Sequence, residues 1–245
     1  VFIHGNFNDH RIWEEQMRMF SAHNFVIGYD LRGYGHSDTP RTFFSNVEDL
    51  KLLLDALRLP KVNLVGSSMG GSVAIDFTLT YPDRVHRLIL AAPSVSGRNY
   101  PAIMLWQGIK QHFQVKLNGR EKAIETFITN PFWRYYFPAS KKENAWLKTI
   151  DNVRNTSNFC RFPPNLSRVS KPYAANRLEE IRQSVLIIIG ELDHLFNRET
   201  AEILHTEIKN TTKIVIQDCG HLPFIEEPET FSSNVAEFLR METYD

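Results

Sequence analysis

Apolar residues gather in six short runs rich in β-branched side chains, at positions 1–3, 25–29, 62–65, 88–91, 185–189 and 213–216. In most of these runs consecutive residues are apolar, not alternate ones. That is the pattern of a strand covered on both faces, as in a buried parallel sheet. Between the runs, apolar residues recur at helical spacing over 12–20, 47–57, 69–81, 200–208 and 228–239. Strand and helix alternate, so the chain is expected to be an α/β protein with a doubly wound, mostly parallel sheet and right-handed crossovers.

The alternation stops at about residue 98 and resumes at about 181. The intervening stretch is aromatic and amphipathic, and Pro131, Pro138, Pro163, Pro164 and Pro172 break it into short pieces. The expected organisation is one α/β core made of residues 1–97 and 181–245, with a helical insertion over 98–180. Residues 161–172, with Pro163 and Pro164 adjacent, are the best candidate for a linker or hinge of that insertion.

Charge narrows the partner more than the fold. Lys plus Arg and Asp plus Glu both total 28, so no overall field favours nucleic acid, an anionic membrane or a charged substrate. The expected partner is a small molecule. No apolar run approaches the ~20 residues that span a bilayer. Cys160 and Cys219 form neither a disulfide framework nor a metal-ligand cluster, and are read as reduced thiols. Nothing at the start of the chain resembles a secretory leader, which favours a cytoplasmic location. No metal and no organic cofactor is expected.

The chemistry is concentrated in three loops. Leu64-Val65-Gly66-Ser67-Ser68-Met69-Gly70-Gly71 sets a G-x-S-x-G pattern directly after a strand and before a helix, the context that pattern requires. It implies a tight turn with Ser68 in a strained conformation and its Oγ exposed at a helix N-terminus. Ser67 is off the centre of the pattern. Glycines of this kind also pack helices or bind dinucleotides, but there is no G-x-G-x-x-G series.

A serine nucleophile needs a base that titrates near neutrality. Of nine histidines, His221 in Asp218-Cys219-Gly220-His221-Leu222-Pro223 follows the last strand. It is therefore expected at the C-terminal edge of the sheet beside Ser68. Asp193 follows the strand at 185–189 and is the candidate to orient that imidazole, giving the chain order Ser, Asp, His. The oxyanion donors are expected to be the backbone amides of Met69, after the nucleophile, and Asn6, in the loop His4-Gly5-Asn6. His4 itself reads as a brace for that loop.

Taken together, His4-Gly5-Asn6 with Trp13, Asp30-Leu31-Arg32-Gly33-Tyr34-Gly35-His36-Ser37-Asp38, the Ser68 motif, Gly190-Glu191-Leu192-Asp193 and Gly220-His221 resemble the α/β-hydrolase superfamily. The likeness is greatest to its cofactor-independent esterase, enol-lactonase and carbon–carbon hydrolase branch. It implies that the insertion is a helical cap over Ser68, that Asp30, Arg32 and Asp38 brace loops, and that Met69, Ser94 and Trp133 line the pocket. The family usually opens with two more strands. Either the sequence is shortened relative to that family, or residues 25–29 form an exposed sheet edge answered by a device such as pairing in a dimer; a monomer or homodimer is expected. The activity implied is hydrolysis of a small to medium carboxylic ester by an acyl-enzyme mechanism. The alternatives are carbon–carbon bond hydrolysis or enol-lactone hydrolysis with the same triad, and slow-turnover ligand reception.

Overall fold

A computed structural model describes residues 1–240. Its strands are β1 (Phe2–Ile3), β2 (Gly28–Tyr29), β3 (Val62–Ser67), β4 (Val85–Ala91), β5 (Ser184–Gly190) and β6 (Thr211–Ile216). They form one sheet in the order β2-β1-β3-β4-β5-β6, and each neighbouring pair is parallel. The helices are α1 (Glu14–Phe20), α2 (Asn46–Ala56), α3 (Met69–Thr80), α4 (Ala102–Asn118), α5 (Arg120–Thr129), α6 (Glu143–Arg154), α7 (Leu195–Glu207), α8 (Pro223–Glu226) and α9 (Pro228–Arg240).

All six expected runs enter the sheet, with adjusted ends. The run at 25–29 pairs only through Gly28 and Tyr29, while Phe25 is 76% exposed. Among the described residues β2 is the last strand on its side of the sheet. Helix α7 begins at Leu195, before the expected start at 200, because the His194 ring accepts a hydrogen bond from the Phe196 amide and caps it. Helix α2 is capped by Ser45, whose hydroxyl accepts from the amide of Glu48.

Consecutive strand residues are apolar because the two faces of the sheet carry two cores. On one face Ile3, Leu64, Leu90 and Ile187 pack with Leu50 and Leu54 of α2, Phe77 of α3 and Leu204 of α7. On the other, Phe2, Val65, Ile89 and Ile188 pack with Trp13, Phe224 and Phe231. Phe127 and Phe159 of the segment between β4 and β5 continue that second core, so this segment is welded to the sheet by apolar contact. Within residues 161–172, the linker or hinge candidate, Leu166 O accepts from the Phe44 amide and the Arg168 amide donates to Phe44 O.

One buried carboxyl links α3 to the region beyond β4. Asp76 accepts from Ser96 Oγ at 2.6 Å, and Ser96 Oγ accepts from the Ala174 amide at 3.0 Å. Burial pushes the Asp76 carboxyl up to about 6, against the attraction of the Arg177 guanidinium. A folded value above the unfolded one stabilises at low pH, and that stability is lost as pH rises through about 6. Asp76→Asn keeps the acceptor and removes the charge. It should stabilise the protein by up to about 3 kcal/mol at pH 8, with the gain vanishing by about pH 4, as read by urea unfolding at both values.

Candidate active site

The turn between β3 and α3 is built by close backbone approach. Ser68 sits at φ 51° and ψ −115°, a conformation that costs an L-residue about 1–3 kcal/mol. It is held on both sides: its amide donates to Ala91 O at 3.0 Å, and its carbonyl accepts from the amides of Gly71, Ser72 and Ser94. A side chain at Gly70 would put Cβ 2.3 Å from Ile3 O, so only glycine lets α3 start against the end of β1.

His221 and Asp193 meet at the same edge of the sheet. The imidazole Nδ1 is 2.8 Å from Asp193 Oδ2, with both side chains almost wholly buried. The other carboxylate oxygen accepts from the His194 amide at 2.6 Å and from Asn197 Nδ2 at 2.7 Å. Asp193 is thus fixed as an acceptor, which assigns the imidazole proton to Nδ1 and leaves Nε2 bare. The loop carrying His221 can reach Asp193 because Gly190 has no side chain; a Cβ there would lie 2.1 Å from Gly220 O. The His221 amide donates to Tyr135 O at 2.9 Å, and the rings of Tyr135 and Tyr136 flank the imidazole.

Among the described residues neither Ser68 Oγ nor His221 Nε2 has a protein hydrogen-bond partner, and the amides of Asn6 and Met69 have no acceptor. Four groups of the chemistry expected from the sequence therefore keep their polar atoms uncommitted. Two expected pocket residues have the following contacts. Ser94 directs its hydroxyl to Ser68 O at 3.1 Å, so it braces the turn. Trp133 is half-buried within an aromatic cluster, 5.3 Å from Phe127 between ring centroids, and its buried Nε1 lacks a partner. The Met69 sulfur lies 3.9 Å from Tyr34 Oη.

Bracing of the β1 loop is more extensive than the sequence suggested. The Leu31 amide donates to His4 Nε2 at 2.9 Å, which puts the proton of this buried, neutral ring on Nδ1, 2.8 Å from Gly5 O. Burial pulls the imidazole below its usual range. Asp30 accepts from the amides of His10 and His36, each at 2.8 Å. Arg32 instead pairs with Asp49 at the surface, and Asp38 offers the Gly33 amide its backbone carbonyl. Asn6 Oδ1 accepts from Tyr34 Oη at 2.7 Å, and Tyr136 Oη lies 3.1 Å from Asn6 O and 2.9 Å from Asn8 Oδ1.

Sequence reading missed one buried polar cluster altogether. The Asp9 carboxylate accepts from Asn152, Asn155 and Asn158 at 2.8–3.0 Å and from Arg11. Asn8 Nδ2 donates to Asn152 Oδ1 at 3.0 Å. These donors hold the Asp9 carboxyl well below the usual carboxylate range despite its burial. The signal was the N-x-x-N-x-x-N spacing at 152, 155 and 158, which a helix and its following turn can bring to one side. Its partner lay some 140 residues away and could not be read.

The family model described as alpha/beta hydrolase fold matches residues 1–228, and the chain belongs to that family. A 2-hydroxy-6-oxononadienedioate/2-hydroxy-6-oxononatrienedioate hydrolase of Pseudomonas putida is 32% identical over 223 residues, spanning 87% of this chain and 76% of that protein. A solved thermophilic esterase from Thermogutta terrifontis superposes with a TM-score of 0.79 at 25% identity, covering 98% of this chain and 88% of that one. An enol-lactonase from Burkholderia xenovorans LB400 shares the fold, with a TM-score of 0.78 at 20% identity over 98% of this chain and 90% of that one.

Replacing Asp9 by Asn puts an amide NH2, a donor, in place of one oxygen that accepts from the surrounding side-chain amides. Asp9→Asn is expected to cost about 2–3 kcal/mol in urea unfolding at pH 7. Because the folded carboxyl titrates below the unfolded one, this stabilisation is present above about pH 4 and fades as pH falls further, so parent and variant should converge in acid.

Proposed function

We propose that the chain is a serine hydrolase that cleaves carboxylic esters through an acyl-enzyme on Ser68. His221 is the general base and Asp193 orients it. The observation that carries the reading is the pairing of a strained, uncommitted Ser68 with a buried His221–Asp193 couple whose Nε2 is free, at one edge of the sheet. In apo enzymes the serine–histidine contact commonly tightens only with substrate.

In the first step Ser68 Oγ attacks the ester carbonyl while its proton passes to His221 Nε2. The carbonyl electrons move to oxygen, and this oxyanion takes hydrogen bonds from the Asn6 and Met69 amides, each worth on the order of 3 kcal/mol in the transition state. The imidazolium, stabilised by Asp193, then protonates the departing alcohol. Water attacks the acyl-enzyme with His221 again taking the proton, and the acid leaves as Ser68 recovers its hydrogen. The chemistry draws on these side chains and amides without a metal or organic cofactor. The segment 98–180 acts as a cap over Ser68, and some of its aromatic residues, Trp133 among them, supply the apolar wall of the substrate site. The substrate is an uncharged or weakly charged ester.

A second reading is carbon–carbon bond hydrolysis by the same groups, favoured by the 32% identity to the Pseudomonas putida hydrolase. The test is turnover of a p-nitrophenyl ester series, alongside a 2-hydroxy-6-oxo-dienoate, by the parent and by Ser68→Ala, both first checked for folding. Ester turnover should exceed dienoate turnover and fall by something like ~10⁶-fold in the variant. Dienoate turnover in excess of every ester selects the second reading. Activity that survives Ser68→Ala overturns both.

A further inference from the structure

Helix α4 is inside out. Over Ala102–Asn118 it turns Met104 and Gln111 inward, with Gln107 and Gln114 half-buried beside them. The Gln107 side chain is committed inward, accepting from Asn130 Nδ2 at 3.0 Å. The outward arc carries Ile103, Trp106, Ile109, Phe113 and Leu117, with Trp106 60%, Phe113 59% and Leu117 78% exposed. These positions follow helical spacing, so they make one continuous stripe. A surface helix of a globular protein ordinarily does the reverse, and a contiguous exposed apolar stripe marks a contact surface.

The charges on this helix decide what it contacts. Lys110 and Lys116 are its charged residues, both are exposed, and it carries no Asp or Glu. The chain as a whole is neutral, so the cationic character is local. Lys110 lies midway along α4 and on the same arc as Trp106 and Phe113. A two-fold contact with its axis near the middle of α4 would therefore set this ammonium against itself in an apolar seam. On a bilayer the same lysines extend their apolar stems along the helix and reach lipid phosphates with their ammonium groups. No helix of the described residues is long and apolar enough to cross a membrane, and a one-sided aromatic and aliphatic stripe with cationic residues is the form of a helix lying in the interface.

We infer that α4 docks the protein on an anionic phospholipid surface, with Trp106, Phe113 and Leu117 inserted at the headgroup boundary and Lys110 and Lys116 on lipid phosphates. This attachment is independent of the reaction proposed for Ser68.

The full chain is sedimented with vesicles of phosphatidylcholine, with and without phosphatidylglycerol, and its oligomeric state is read by light scattering. Folding of each variant is checked by circular dichroism. The protein should pellet with the phosphatidylglycerol vesicles and much less with the neutral ones. Binding should weaken roughly fivefold for each of Lys110→Gln and Lys116→Gln, and roughly tenfold or more for the double variant Trp106→Asp, Phe113→Asp. Parent protein that stays in the supernatant with both vesicle types overturns the inference, as does binding indifferent to phosphatidylglycerol or to the folded double variant. A dimer that the double variant splits, without vesicle binding by the parent, gives the face to a second copy instead.

Discussion

Everything at the candidate site depends on how closely backbone can approach backbone at the C-terminal edge of the sheet. The start of α3 lies against the end of β1 at a distance that excludes even a methyl group, since a Cβ on Gly70 would fall 2.3 Å from Ile3 O. The same crowding joins the end of β5 to the loop after β6, through Gly190 and Gly220. The first contact holds Ser68 in its unfavourable conformation and sets it beside the loop of Gly5 and Asn6. The second brings Asp193 to His221. Strain at one residue persists because the hydrogen bonds to Ala91, Gly71, Ser72 and Ser94 over-determine it.

Outside this edge, a layer of buried polar residues fixes loops that apolar packing cannot orient. His4 and Asp30 hold the first loop to its neighbours by accepting backbone amides. Asp9 holds the same loop to α6 and the turn after it, while Tyr136 reaches Asn6 and Asn8 from the other side of the insertion. The segment between β4 and β5 thus contributes directly to the position of the Asn6 amide. Apolar contact through Phe127 and Phe159 attaches it to the sheet, and the Asp9 hydrogen bonds define its register there. Charge-assisted hydrogen bonds in a buried setting are directional, so they specify a loop geometry that hydrophobic burial leaves open.

The fold was legible because its signals are local. Double-faced burial makes Ile187-Ile188-Ile189 continuous instead of alternating, and the Gly66, Ser68 and Gly70 spacing announces its own turn. The Ser68, Asp193 and His221 positions could be placed at one edge by topology alone, since each follows a parallel strand. What stayed hidden was tertiary. Nothing near Asp9 announces that its partners stand at Asn152, Asn155 and Asn158. The contacts of Ser94 and Trp133 are likewise decided by side-chain direction, toward the Ser68 carbonyl and into the aromatic cluster.

The central claim is that Ser68 is a nucleophile activated by His221, and it can be tested without knowing the substrate. A fluorophosphonate reacts with activated serines irrespective of acyl or alcohol preference, and peptide mass spectrometry then locates the adduct. The account predicts a single adduct on Ser68, formed by the folded parent and lost both in His221→Ala and after denaturation. An adduct on Ser67 or Ser94, or labelling of Ser68 that persists undiminished in His221→Ala, would contradict it.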